Sequence, residues 1–263
     1  MKRKLIRPRL LMELILSILG LCNVLNTQAA MPPRLYFDHY NDRNGLSSNS
    51  VSYIMQDRQG FIWVATKDGL NRFDGFNFRL VDTGDRETCS YGTTIHEDKD
   101  GKIWVGAHNG AFIYDPSTEQ IRKFTIPRDN GLSVTQPVVQ FLNDPDDNIL
   151  MLVDSDGVYR YKEGNDCLET LYSSPSIKVN QAVYDPTGRV WVGTFGQGLF
   201  FSDDNFHTLN RFSISGNDDF NTSIISDLKM KGDKLYVATE RFGVVAVGAA
   251  VIEVVNTVSS RES

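Results

Sequence analysis

The chain has 263 residues, 41% of them hydrophobic and 23% charged, with a net charge of −6. That apolar content, spread over varied sequence, excludes a disordered or low-complexity chain and suffices for one large all-β domain or two small ones. The acidic balance repels phosphate and argues against nucleic acid and anionic membrane surfaces as partners.

Residues 1–30 read as a secretory signal. Lys2, Arg3, Lys4, Arg7 and Arg9 precede a mostly apolar run over 10–25, interrupted by Glu13, and Thr27-Gln28-Ala29-Ala30 offers small residues for cleavage. An uncleaved anchor is the alternative, although the run is short against a bilayer span of about 20 residues. Leu19-Gly20-Leu21-Cys22 is only faintly a lipoprotein box, because Leu21 is too bulky before the cysteine. Beyond the leader the chain is more acidic still. Cys89 and Cys167 then remain on different repeats, read as two incidental thiols, since spacing cannot assign a disulfide.

Residues 31–49 form an N-terminal segment in which 35–38, Leu-Tyr-Phe-Asp, are expected to make a strand that closes a ring against the last repeat. The stretch 51–78 follows, with four short runs (VSYIMQ, FIWVAT, LNRF, FNF) cut by Asp57-Arg58-Gln59-Gly60, Lys67-Asp68-Gly69 and Asp74-Gly75. Glycine accepts positive φ in tight hairpins, and runs of this length and composition are strands, so the stretch is a four-stranded antiparallel meander. The chain repeats it. Trp63 recurs as Trp104 and Trp191, Met151 is placed in the same slot of the third copy, and Tyr236 in the fifth, at spacings of 41, 47, 40 and 45 residues. Four strands at that period make a β-propeller blade. The blades are expected over 50–81, 91–124, 138–171, 179–212 and from 224 to 248, joined by polar surface loops such as 82–90 and 126–135. The fold class is therefore all-β, a propeller of about five blades. Residues 249–263 lose the pattern and are expected to be an irregular tail.

The search for chemistry excludes more than it finds. Trp63, Trp104 and Trp191, with Met151 and Tyr236, sit inside apolar second strands and are read as core rather than sugar-stacking platforms. Asp57, Asp98, Asp144 and Asp185 fill one slot at the first hairpin, which is turn chemistry and not a glycosidase pair. The segments 98–101 and 144–148 lack the downstream glutamate of a calcium loop and read as solvated turns. His39, His96, His108 and His207 have no metal-ligand spacing, and the glycines of 193–198 lie in a hairpin with no helix to hold a phosphate. No nucleophile elbow, catalytic residue, metal or cofactor site is expected. In a meander, the loop between second and third strands shares a face with the residues leading into each blade. Ligand contacts are therefore placed on Lys67, His108, Asp154, Phe195, Glu240 and Arg241, with Asn49, Asn180 and Asn221 leading into blades. These positions vary between blades, as recognition residues do and as unconstrained loop tips also do.

The segment NGLSSNSVSYIMQDRQGFIWVATKDGLNRFDGFNF resembles the two-component regulator propeller repeat, through Asn44-Gly45-Leu46-Ser47, Gln56-Asp57, Gly60-Phe61-Ile62-Trp63, Thr66 and residues 69–75. The likeness is good in blades two and four and weaker in three and five. It implies the periplasmic sensor part of a hybrid two-component system histidine kinase, whose usual signal is an oligosaccharide and whose layout is two seven-bladed propellers ahead of a membrane span and kinase. At about 42 residues per blade seven blades need roughly 290 residues, more than the exported part offers, so the chain is expected to be an N-terminal fragment with an incomplete ring. The missing blades, a second propeller, or self-association through open edges would then be its partners. A free-standing secreted interaction protein is the alternative, and a propeller lyase or glycosidase a more distant one.

Overall fold

The structure, a computed structural model, describes residues 36–81, 92–129, 131, 134–165, 167–174, 176–248 and 252–256. Residues 1–30, expected to be a leader, and Leu35 and Cys89 lie outside them. Clustering of contacts separates residues 1–39 from a second unit, 40–263. Of the first unit, residues 36–39 are irregular and exposed.

The second unit holds five four-stranded antiparallel sheets, each a meander in chain order. Blade one is β1 (Val51–Gln56), β2 (Ile62–Thr66), β3 (Gly69–Phe73) and β4 (Phe78–Leu80). Blade two is β5 (Gly92–Glu97), β6 (Ile103–Ala107), β7 (Gly110–Asp115) and β8 (Gln120–Lys123). Blade three is β9 (Val138–Asn143), β10 (Ile149–Val153), β11 (Gly157–Tyr161) and β12 (Glu169–Ser173). Blade four is β13 (Val179–Tyr184), β14 (Val190–Thr194), β15 (Leu199–Ser202) and β16 (Asn210–Phe212). Blade five is β17 (Ile225–Lys231), β18 (Lys234–Thr239), β19 (Gly243–Val247) and β20 (Ile252–Asn256).

The last strand corrects the expectation of an irregular tail. Residues 252–256 pair with β19, so blade five has its own outer strand although no Asp-Gly turn announces it. Its β-branched run completes the hydrogen bonds of an otherwise open edge. The closing strand expected over 35–38 is not formed by its described residues, 36–38.

Neighbouring blades meet through their first strands, β1 to β5, β5 to β9, β9 to β13 and β13 to β17, while β17 makes no comparable contact with β1. Each first strand carries one bulge, which leaves Ser52, Thr93, Val139, Asn180 and Ser226 out of register. A bulge re-aims its side chain. Here it aims across the junction: Ser52 Oγ donates to Gly92 O, Thr93 Oγ1 to Val138 O, and Asn180 Nδ2 to Ile225 O at 2.7 Å. Val139 has no donor, and the next residue takes over, Gln140 bonding both Ala182 O at 3.0 Å and Ala182 N–H at 2.6 Å. The blades approach so closely there that a Cβ on Gly106 would stand 2.5 Å from Val138 O.

Between blades lies the core. Trp63 packs with Ile95, Val105 and Tyr114, and Trp104 with Phe141, Met151 and Tyr159. This corrects the third repeat by one residue. Leu150 pairs with Leu142 and Arg160 as Trp104 pairs with His96 and Ile113, so Leu150 occupies the tryptophan slot and faces blade four. Met151 turns the other way, onto blade two. Tyr236 keeps the slot in blade five, opposite Ala246.

Blade one has no preceding neighbour among the described residues. Val51, Tyr53 and Ile54 are 42, 40 and 61% exposed, whereas Ile95, in the place of Ile54, is 3% exposed. Part of this flank is covered by the loop ahead of β1. Tyr40 packs edge-on against Phe73 and Phe78, and Ser47 exchanges hydrogen bonds with the Asn71 amide (3.0 and 2.7 Å). Asn71 stands where blade two has Phe112, which matches a polar loop rather than another blade.

Candidate functional site

The loops after the second strands gather on one face, and a repeated backbone bond holds them there. Lys67, Asp154, Phe195 and Glu240 each donate their N–H to the residue leading into the same blade, at Ser50, Pro137, Lys178 and Ile224. Between blades one and two this face opens as a cleft of about 290 Å³ lined by Ser50, Ser52, Lys67, Gly92, Thr93 and His108. Lys67 and His108 are exposed side chains at its rim. Gly92 keeps its floor open, since a Cβ there would meet that of Ala65 at 2.9 Å.

Two of the nine sequence-derived ligand positions, Lys67 and His108, thus share one cleft. Phe195, Glu240 and Arg241 are exposed on their own blades, and Asp154 accepts from Ser155 Oγ at 2.9 Å. The three asparagines have structural employment. Asn180 stitches blade four to blade five. Asn221 bonds both the N–H and the C=O of Ile214 at 2.9 Å, and Asn49 Oδ1 accepts from Asp42 N–H at 2.9 Å. Among the described residues no cluster of three or more His, Cys, Asp or Glu could hold a metal. Cys167 is a free, exposed thiol.

The opposite ends of the second strands carry a feature that sequence reasoning saw only in part. Each hairpin aspartate accepts from its own turn, as expected: Asp98 Oδ1 takes Asp100 N–H at 3.0 Å and Lys102 N–H at 2.9 Å. The turns at Asp98 and Asp144 are buried at that residue, however, not solvated. The second oxygen accepts from the indole six residues on, Asp57 from Trp63 at 2.7 Å, Asp98 from Trp104 at 2.8 Å and Asp185 from Trp191 at 3.2 Å. The constant spacing of six was the available signal. Burial works to raise the pKa of Asp185, but bonds from Thr187, Trp191 and the Arg189 N–H hold it below the usual carboxylate range. In blade three the Leu150 side chain offers no N–H. Arg160, its cross-strand partner, brings Nε to 2.8 Å from Asp144 Oδ2, and Asn148 Nδ2 reaches both carboxylate oxygens at 3.0 Å.

Five meander blades meeting at their first strands define the class: a β-propeller. Residues 45–68 match the family model of the two component regulator propeller. Histidine kinase P4 of Formosa agariphila is 41% identical over 54 residues, which are 20% of this chain and 4% of that protein. The extracellular domain of a one component system from B. thetaiotaomicron superposes with a TM-score of 0.65 at 20% identity, over 85% of this chain and 32% of that one. That of a hybrid two component system from the same organism gives 0.51 at 19% identity, over 81% and 35%. Residues 45–68 thus carry one repeat of the two-component regulator propeller type, and the chain spans about a third of those sensor domains and a small fraction of the kinase.

Proposed function

We propose that this chain is a ligand-sensing propeller of a two-component regulatory system, exported to the periplasm, that binds an oligosaccharide and catalyses nothing. The cleft between blades one and two carries this reading, because it combines a lysine, a histidine and hydroxyls above a glycine floor. Such donors suit a polyhydroxylated ligand. The extracellular relatives support export, and no described helix is long and apolar enough to cross a membrane. Calorimetric titration with a panel of oligosaccharides is expected to find a binder whose affinity falls about tenfold in the Lys67→Ala/His108→Ala variant, from the loss of one or two charge-assisted hydrogen bonds. Unchanged affinity would remove this cleft as the site, and silence across the panel would remove the ligand class.

The bare flank of blade one supports a second part of the proposal. Its occupant is another blade, from further sequence, a second propeller or a second copy. For this chain alone we expect concentration-dependent association in sedimentation, relieved by Ile54→Asp, since an apolar sheet face of this kind is poorly tolerated in water. A monomer at every concentration would contradict it.

A further inference from the structure

We propose that the junction between blades four and five binds a small phenol-like aromatic ring, neutral or cationic. The observation is a comparison of equivalent places within one molecule. At the first junction the indole of Trp63 packs on the ring of Tyr114, centroids 5.0 Å apart, and Arg72 Nη1 lies 3.5 Å from the tyrosine hydroxyl. At the second junction Trp104 packs on Tyr161 at 5.4 Å. These tyrosines stand opposite Ile103 and Ile149 in their sheets, and the same place in blade five, opposite Leu235, is Val247.

The ring is gone while the wall that receives it remains. Trp191 is still held by Asp185 and flanked by Phe201 and Phe212, centroids at 5.7 and 5.5 Å. A guanidinium is retained as well: Arg189 lies 4.5 Å over Phe201 and 5.7 Å over Trp191. What results is a cleft of about 480 Å³, against about 50 Å³ at the second junction. That volume is in the usual range of small-molecule sites, and aromatic walls favour a ring packed edge-on or offset. Asp185 and Asp233 at the rim would accept from a hydroxyl and repel an anion. Arg189 is already paired with Asp203 at 2.6 Å. The cleft lies at the β13–β14 turn, the other end of the strands from Lys67 and His108, and stands independently of the oligosaccharide reading.

The chain has three tryptophans, so its ¹H–¹⁵N spectrum carries three indole N–H signals, and the missing one in Trp191→Phe identifies Trp191. Titration of the full chain with p-cresol is expected to shift the Trp191 signal saturably and leave those of Trp63 and Trp104 in place. Methyl glucoside should leave all three. Val247→Tyr restores the ring and should weaken p-cresol at least about tenfold while raising Tm by a few degrees. Val247→Phe fills the same space and is read the same way if the tyrosine variant does not fold. No shift of Trp191 with p-cresol, an equal shift with methyl glucoside, or undiminished binding in the filled variant would overturn the proposal.

Discussion

Replacing Asp98 by alanine is expected to destabilise the protein by about 3 kcal/mol, because it strands three donors at once and an unpaired buried donor costs roughly 1–3 kcal/mol. Asp98 takes two backbone N–H groups and the indole of Trp104, and that indole is 2% exposed. Water has little access to that indole N–H, which carries most of the cost, whereas Asp100 is exposed and its N–H can be hydrated. Asp185 is the built-in comparison. Its bond to Trp191 is 3.2 Å, its indole is 7% exposed and lines the wide cleft beside blade five. Asp185→Ala should therefore cost only about 1 kcal/mol. Denaturant unfolding of the two variants at unchanged slope gives the comparison directly. Equal losses would mean that turn closure alone, and not the buried indole bond, sets the value of this slot.

Arg160→Ala should be at least as damaging, by about 3–5 kcal/mol, for the opposite electrostatic reason: it leaves a buried anion without its cation. The side chains of Arg160 and Asp144 are 11% and 1% exposed, with Nε and Oδ2 2.8 Å apart, and Arg160 reaches on to Glu169 Oε2 at 3.1 Å. Asn148 Nδ2 would be the remaining partner of Asp144 Oδ2, while Oδ1 keeps the N–H groups of Asp146 and Asn148. Removing both charges together, as Arg160→Met with Asp144→Asn, should recover most of the loss, since exchanging a buried pair for neutral groups is often close to neutral. A double variant no more stable than Arg160→Ala would show that the arginine acts through packing of its stem rather than by charge.

These two variants also mark where sequence reading ended. Blade three was legible as a blade from its hairpin aspartate and its spacing, yet the slot was placed on Met151 when it belongs to Leu150. The run Ile149 to Val153 is buried on both faces, with no polar alternation to fix its register, and a slip of one residue turns every side chain to the other face. Blades one, two and four escaped that error because tryptophan is bulky and unmistakable. Blade five's outer strand was missed for a related reason: an edge run without a turn signal becomes a strand only when a neighbour offers hydrogen bonds.

From the sequence alone came the all-β class, the four-stranded meander, the five repeats and the common face of the second-to-third-strand loops, because turns and short apolar runs are local and act within a few residues. The tertiary structure decided what those positions do. It committed Asn180 to the blade junction through a bulge, brought Lys67 and His108 to one cleft across 41 positions of chain, and opened the slot at Val247 where the first two junctions hold a tyrosine. Each of these depends on which side chain meets which across two sheets, and that is set by register and packing between blades.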